Sequence, residues 1–218
     1  MKTALIFGSS GLIGNQLLNF ILKSDNYNNI KIFVRSVPEI NNSKVEIIKT
    51  DFDNLDQFKD FIVGDDCFFC IGTTHKQTPD KNEYRKIEHD MPLKVAKIAK
   101  SNSIKTFIYV SSMGANPKAS NTYLKNKGET EEGLKNFNFP KLAIIRPSLL
   151  VGNRKTFRLG ERIAIPIMNF MSLFFIGSLK KYKPIKIEYV TKAMMNIADK
   201  DYNEIIFESD KLEKIGKY

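Results

Sequence analysis

The chain alternates between short, nearly continuous apolar runs and longer segments whose apolar residues recur with helical spacing. The apolar runs cover residues 3–8, 30–35, 45–52, 67–72, 105–112 and 141–147. The helical segments cover residues 11–23, 54–64, 91–103 and 122–137. Strands that are apolar along their whole length are typical of parallel sheets covered on both faces. The pattern therefore predicts an α/β protein with a doubly wound parallel sheet and helices on both faces.

The pattern changes after Pro147, where residues 161–179 form a strongly apolar stretch. Pro166 would kink a helix there, and the stretch is marginal in length for a membrane span. We expect a core or lid helix, with a dimerisation or membrane-surface face as alternatives and a transmembrane helix disfavoured. Residues 152–190 are predicted to form a small C-terminal substrate lobe of one domain that spans residues 1–218.

Composition and charge restrict the partners. The chain has 218 residues, is 42% hydrophobic and carries a net charge of +10, which suits nucleic acid, an anionic membrane or a phosphorylated ligand. Because the lysines are scattered, with one cluster at 179–186, we expect a solvated basic surface and no nucleic-acid partner. Monomer and homodimer both fit the sequence. A peripheral membrane contact through residues 161–179 and the lysine cluster is the disfavoured alternative.

Two cysteines, Cys67 and Cys70, lie inside the fourth apolar run. Their C-x-x-C spacing suits a redox or metal pair, but both functions need accessible thiolates, and a metal needs further ligands. We predict buried, reduced thiols, no metal site and a cytoplasmic location. The apolar part of the N-terminal segment, residues 4–7, is too short for a signal peptide.

A glycine pattern follows the first predicted strand and opens the first predicted helix. Gly8, Gly11 and Gly14 have the spacing G-x-x-G-x-x-G. Glycine lets the backbone turn sharply and approach a pyrophosphate, while the helix N-terminus supplies free N–H groups and a favourable dipole. The predicted pyrophosphate segment also includes Ser9, Ser10, Leu12 and Ile13.

The ends of the next strands indicate which dinucleotide binds. The second strand ends at Arg35 and Ser36, where a guanidinium and a hydroxyl suit a 2′-phosphate, so we predict NADP(H) in preference to NAD(H). Asp51 and Phe52 follow the third strand, where a carboxylate could meet the adenine amino group. Cofactors bind outside the carboxyl ends of strands, so the predicted crevice also includes the residues after the fourth strand, Gly72, Thr73 and Thr74.

Candidate catalytic residues follow the fifth strand. Ser111 and Ser112 end it, and strand alternation allows only one of them to face the site. Tyr123 and Lys127 lie four positions apart, on one face of the predicted helix 122–137. A serine that holds a substrate oxygen, a tyrosine that exchanges a proton and a lysine that tunes the tyrosine form a known arrangement beside a nicotinamide.

The segments "GSSGLIG", "VSSMGA", "YLKNK" and "RPSLLVG" together resemble the short-chain dehydrogenase/reductase superfamily, in its extended or atypical branch. The block 111–154 is most similar to the Tat-interacting-protein group of atypical NADPH-binding reductases, and the resemblance covers nearly the whole chain. It implies a Rossmann fold, with the pyrophosphate on the glycine segment and the 2′-phosphate on Arg35. It also implies Tyr123 and Lys127 as catalytic pair with Ser112 as their partner, and nicotinamide contacts from Pro147, Ser148 and Leu149.

The resemblance implies an NADP(H)-dependent oxidoreductase that acts on a carbonyl or alcohol. A non-catalytic NADP(H)-binding redox sensor or regulator is the alternative, because fold alone does not settle activity. The lobe suggests a small hydrophobic substrate, although its apolar side chains are more typical of core. Those side chains are Phe157, Met168, Phe170, Met171, Phe174 and Phe175.

Overall fold

Seven parallel strands form the central sheet of the computed structural model, which describes residues 1–152 and 177–217. These strands are β1 Lys2–Phe7, β2 Tyr27–Val34, β3 Val45–Lys49, β4 Asp66–Phe69, β5 Thr106–Val110, β6 Lys141–Arg146 and β9 Ile206–Glu208. A separate two-stranded ladder pairs β7 Leu150–Val151 with β8 Ile185–Lys186. The strand order in the sheet is β3-β2-β1-β4-β5-β6-β9, which confirms the predicted doubly wound, Rossmann-type topology.

Helices cover both faces of this sheet. The α-helices are α1 Leu12–Leu22, α2 Lys81–Arg85, α3 Met91–Ser101, α4 Thr122–Lys135, α5 Ile187–Asp199 and α6 Ser209–Gly216. Two 3₁₀ segments span Phe52–Phe61 and Gly177–Tyr182, and a π-helical segment, Lys86–Asp90, joins α2 to α3 without a break.

The alternation along β1 separates the core into two layers. Ala4 and Ile6 face the layer that contains α1 and α5, whereas Leu5 and Phe7 face the layer that contains α3. All four side chains are fully buried. A row of rings crosses four strands in the second layer, because Phe7 stacks on Phe33 at 4.3 Å and on Phe69 at 5.9 Å, and Phe69 contacts Tyr109 at 6.1 Å.

All six predicted strands are present, with ends that differ by a few residues. The predicted helix 91–103 is present as α3, Met91–Ser101, but it continues a helical chain that already begins at Lys81 and passes through Pro92. Proline lacks the N–H that would bond the carbonyl of Glu88, four residues earlier, and the π-helical segment accommodates this missing bond. Proline can therefore mark a π-helical turn inside a helix as well as a helix start.

Most of the predicted substrate lobe falls on residues 153–176, which lie outside the described residues, as do its aromatic and methionine side chains and most of the apolar stretch 161–179. The part of the chain that the structure describes contains no helix of sufficient length and hydropathy to cross a membrane.

Candidate functional site

The carboxyl ends of the parallel strands bring the predicted site segments to one edge of the sheet. Gly8 follows β1, Arg35 follows β2, Ser111 follows β5 and Pro147 follows β6. The strand order reverses between β1 and β4, which is where doubly wound sheets open a crevice for ligands.

The glycine segment has a backbone that side chains would disturb. Gly8 has φ +89°, and a Cβ there would lie 2.8 Å from the backbone of Cys70 and Ile71. A Cβ at Gly14 would lie 2.2 Å from the carbonyl oxygen of Gly8. The N–H of Gly11 donates to that same carbonyl at 3.0 Å, which closes the turn. The turn is therefore held against β4 and α1 by close backbone contacts that only glycine permits.

The N-terminus of α1 fits the diphosphate of a dinucleotide. Gly11 is its N-cap and supplies no side-chain hydrogen bond, and the first turn contains no acidic residue. The free N–H groups and the positive end of the dipole are thus available to an anion. Ser10 is exposed beside them and Ser9 is buried, whereas the side chain of Ile13 packs into the core, so Ile13 offers only its backbone.

The predicted ribose and adenine contacts lie at the ends of β2 and β3. Arg35 and Ser36 are exposed, and Arg35 has no ion-pair partner among the described residues. Asp51 is also exposed, but its carboxylate caps the 3₁₀ segment by accepting from the N–H of Asp53 at 3.0 Å and from Asn54 Nδ2 at 2.6 Å. These bonds, led by the one from Asn54, lower the pKa of Asp51. Phe52 packs edge-on against Phe7.

The loop after β4 contacts a carboxylate that the sequence analysis did not identify. The N–H of Thr73 donates to Glu88 Oε1 at 2.5 Å, and a Cβ at Gly72 would lie 3.3 Å from the same oxygen. The hydroxyls of Thr73 and Thr78 are 2.8 Å apart, and Thr74 is partly buried nearby in the chain. Glu88 therefore fixes the backbone of a predicted cofactor loop.

Ser111 and Ser112 have different environments. The Ser111 hydroxyl is buried and donates to Glu131 Oε1 on α4, and both oxygens of Glu131 bind the guanidinium of Arg146 at the end of β6. Ser112 is partly exposed, and its hydroxyl makes one long bond of 3.4 Å to the carbonyl of Met113. Of the two hydroxyls, that of Ser112 is thus more weakly hydrogen-bonded within the protein.

Helix α4 carries the predicted tyrosine and lysine. It begins after Asn121, whose side chain accepts from the N–H of Leu124 at 3.1 Å. Gly128 lies where α4 meets the preceding loop, since a Cβ there would lie 2.3 Å from the backbone of Asn116 and Pro117. This glycine lowers helix propensity but permits the close approach that holds α4 at the edge of the sheet.

Lys127 is the most enclosed of the predicted catalytic residues. Its Nζ donates to the carbonyl of Val110, the last residue of β5, at 3.0 Å, and lies 3.0 Å from Glu88 Oε2. The Lys127 and Glu88 side chains are 4% and 0% exposed. The ammonium also lies 4.7 Å from the ring centre of Tyr109. Tyr123 is partly exposed on the same helix.

The burial of this cluster changes its protonation. Burial alone would lower the pKa of Lys127, but Tyr109 and the carboxylate of Glu88 outweigh it and hold the pKa well above its usual range. Burial raises the pKa of Tyr109 to about 12, although Lys127 acts in the opposite direction. Burial likewise raises the pKa of Cys70 to about 12. Cys67 and Cys70 are both free, and the described residues contain no group of three potential metal ligands.

The polar groups of the segment after β6 form hydrogen bonds with other segments of the protein. The N–H of Ser148 donates to Ser209 Oγ at 2.6 Å, and the Ser148 hydroxyl donates to the carbonyl of Lys183. Pro147 accepts from the N–H of Met113 at 3.1 Å, and Leu149 accepts from the N–H of Ile185 at 2.9 Å. This segment therefore joins the site edge to the C-terminal part of the chain.

Sequence reasoning missed the acidic residues that organise this part of the site. Glu88 and Glu131 are each 1% exposed, yet each stands in a segment rich in charged residues. The sequence contains one signal for Glu88. Pro92 has no N–H that could bond the Glu88 carbonyl four residues earlier, so this carbonyl can accept from Thr130 Oγ1, at 3.0 Å. No comparable signal distinguishes Glu131 from Glu132.

Comparison with known proteins identifies a family and relatives that match most of the chain. Residues 8–162 match the NAD(P)H-binding family. Protein FMP52, mitochondrial, from Candida albicans is 30% identical over 207 residues, which cover 92% of this chain and 90% of the relative. Protein HTATIP2 from Rattus norvegicus is 32% identical over 169 residues, which cover 75% of this chain and 69% of the relative, and confirms the resemblance stated from the sequence.

Solved structures agree with the fold. The UDP-glucose 4-epimerase of Thermotoga maritima, with UDP-glucose, superposes with a TM-score of 0.70 at 16% identity, covering 99% of this chain and 81% of its own. The UDP-glucuronic acid 4-epimerase of Bacillus cereus, in complex with NAD, gives 0.68 at 17% identity, covering 95% and 77%.

The predicted cytoplasmic location is wrong. FMP52 relatives from Candida albicans and Debaryomyces hansenii, which match nearly the whole chain, are mitochondrial proteins by name. The prediction depended on buried, reduced thiols, but Cys67 is buried and Cys70 partly buried in β4 and the loop after it, where a free thiol fits a mitochondrial protein equally well. Their state therefore carries no information on location.

Proposed function

The chain belongs to the NAD(P)H-binding family, and we propose that it is an NADP(H)-dependent oxidoreductase of the short-chain dehydrogenase/reductase type. Its substrate would be a small carbonyl compound or the corresponding alcohol. One observation carries the proposal. The Lys127 ammonium lies 3.0 Å from the last carbonyl of β5, at the sheet edge that also holds the Gly8 turn, with Tyr123 one helical turn before it on α4.

In the proposed reaction the bound cofactor would supply a hydride to the carbonyl carbon. Tyr123 would donate its phenolic proton to the carbonyl oxygen as the C–H bond forms, and it would regain a proton from solvent. Lys127 would stabilise the resulting phenolate by its charge. Ser112, whose hydroxyl is weakly committed within the protein, would hold the carbonyl oxygen. Ser111 would instead serve the fold through Glu131.

The proposed preference for NADP(H) depends on the end of β2. Arg35 and Ser36 are exposed there, and the described residues provide no acidic partner for the Arg35 guanidinium. A guanidinium can bind a 2′-phosphate through two parallel hydrogen bonds, whereas an NAD(H) site usually places a carboxylate here.

The test is a screen of small aldehydes and ketones that follows NADPH consumption, with Tyr123→Phe as the variant. Losing the proton donor should lower kcat/KM about 10²- to 10⁴-fold on any active substrate, with cofactor affinity retained. Tyr202→Phe is the matched control, because Tyr202 is exposed in the loop between α5 and β9. Equal activity of Tyr123→Phe and wild type would refute the role of the tyrosine.

A non-catalytic NADP(H)-binding regulator is a second candidate. It is favoured by the pairing of Lys127 with Glu88, since this pair gives the lysine a structural partner even in a protein that turns nothing over. Tight NADPH binding, no turnover in the screen, and cofactor-dependent association with a partner would support it. Turnover that depends on Tyr123 would exclude it.

A further inference from the structure

Glu88 connects the loop after β4 to helix α4, although the proposed reaction assigns it no role. It lies in the π-helical segment between α2 and α3 and is 1% exposed. Its Oε1 accepts from the N–H of Thr73 in the loop after β4, and its Oε2 lies 3.0 Å from Lys127 Nζ. Its free backbone carbonyl accepts from Thr130 Oγ1 on α4 at 3.0 Å. One residue thus joins a cofactor loop to the helix that carries Tyr123 and Lys127.

The environment of Lys127 explains why such a residue is needed. A buried ammonium loses its hydration, and buried lysines without a counter-charge become neutral well below the ordinary lysine pKa. Among the described residues, the ionisable groups that face Lys127 are Glu88, Tyr109, Tyr123 and Cys70. Burial raises the pKa values of Tyr109 and Cys70 to about 12, so neither carries a negative charge near neutral pH, and Glu88 is the carboxylate that can balance the buried ammonium there.

We propose that Glu88 is a positioning residue that keeps Lys127 protonated and fixed at the carboxyl end of β5. This inference rests on the proposed function, because a charged Lys127 matters for catalysis only if Tyr123 exchanges a proton beside it. Glu88 also accepts from the N–H of Thr73, so it fixes the position of the loop after β4 relative to Lys127.

The decisive experiment follows lysine protonation directly, in the cofactor-free protein, by NMR of ¹³Cε-labelled lysine. The Lys127 signal is identified as the one that Lys127→Met removes. In wild type it should stay charged up to pH 10, whereas in Glu88→Gln it should titrate at least about one pH unit below a free lysine. Glu83→Gln is the matched control, because Glu83 precedes Glu88 on the same continuous helix but is exposed and faces Lys86. It should leave the Lys127 titration unchanged.

Cofactor affinity provides a second measurement. In Glu88→Gln, the pH at which NADPH affinity begins to fall should shift down by at least about one pH unit relative to wild type, together with the Lys127 titration, because the lysine then loses its charge at a lower pH. If wild type binds neither NADPH nor NADH, the proposed function fails, while the lysine titration still decides the role of Glu88. A Lys127 signal that titrates alike in wild type and Glu88→Gln overturns the inference, as does a wild-type signal that titrates below pH 9.

Glu88→Gln could unfold the protein by leaving a buried charge unpaired. The double variant Glu88→Gln, Lys127→Met removes both charges, and it should recover a Tm close to that of wild type if the ion pair is what requires Glu88. A double variant as unstable as Glu88→Gln alone overturns the inference, because the carboxylate would then serve the fold independently of Lys127.

Discussion

The two sides of the candidate site are built from different parts of the chain. At the ends of β1 and β2, the backbone of Gly8 and Gly14 forms the site, and Arg35 stands exposed beside it. At the ends of β4, β5 and β6, buried charged side chains form it, with Lys127 paired to Glu88 and Arg146 paired to Glu131. We call these the glycine side and the charged side.

The difference shows what each side depends on. Contacts on the glycine side join residues close in sequence or in adjacent strands, and a local pattern is enough to specify them. Contacts on the charged side join α4 to the π-helical segment and to β6, so each charge needs a partner from a distant element. Because an unpaired buried charge is costly, removing one partner on the charged side should destabilise the fold more than a substitution on the glycine side.

The largest expected effect comes from breaking the ion pair between Glu131 and Arg146 on the charged side. Glu131→Gln removes the carboxylate that binds Arg146 and Ser111, and it should lower the free energy of unfolding by about 3 kcal/mol, the range for breaking a buried pair. Denaturant unfolding measures the loss. Glu132→Gln is the control, since Glu132 is exposed and pairs only with Lys135 among the described residues, so it should cost at most about 0.5 kcal/mol. Equal losses for the two variants would contradict the division into two sides.

A smaller effect is expected on the glycine side, in binding more than in stability. The Cβ of Gly14→Ala would meet the Gly8 carbonyl at 2.2 Å and displace the turn from the N-terminus of α1. Overpacking of this kind costs about 1–3 kcal/mol. Because bound NADPH needs the undisplaced turn, we expect this cost in NADPH affinity, which should fall roughly tenfold or more in a titration. Gly11→Ala, whose Cβ would lie 3.3 Å from the same oxygen, should lose clearly less. A larger loss for Gly11→Ala than for Gly14→Ala would show that the turn is not limited by this contact.

The smallest expected effect concerns Arg35 on the glycine side, where the binding of NADPH and of NADH should respond differently. Arg35→Ala should weaken NADPH binding about tenfold through the loss of a charged hydrogen bond, and leave NADH binding and unfolding nearly unchanged. Lys23→Ala removes a comparable exposed charge at the opposite end of α1 and should change neither affinity. Tighter binding of NADH than NADPH to wild type would refute the role of Arg35.

The same division explains how much the sequence could predict. The six strands, the glycine turn and the meeting of their ends at one edge follow from local hydrophobic patterns and from topology rules that apply to all parallel sheets. Lys127 was predicted by its spacing from Tyr123, but its partner was not. Pro92 marks only the backbone carbonyl of Glu88, and nothing local selects its carboxylate among 24 acidic residues. The last strand, Ile206–Glu208, is too short to show a period.

Two further features contradict local helix propensity for physical reasons. Pro92 lies inside a continuous helix, because the π-helical segment before it lets the helix continue. Gly128 lowers the helix propensity of α4, but the contact of α4 with Asn116 and Pro117 excludes any larger residue. In both places tertiary packing outweighs local propensity, and both places adjoin the charged side.

The position of β9 has a consequence for how the sheet is completed during synthesis. Strand β6 ends at Arg146, but the strand that covers its free edge begins only at Ile206, after α5 has been made. Until then β6 presents unpaired N–H and carbonyl groups beside apolar side chains, which is the kind of edge that recruits strands from other chains. A chain interrupted before β9 should therefore aggregate. In the finished sheet this edge is formed by β9, whose three residues are too few to pair with a strand from another chain.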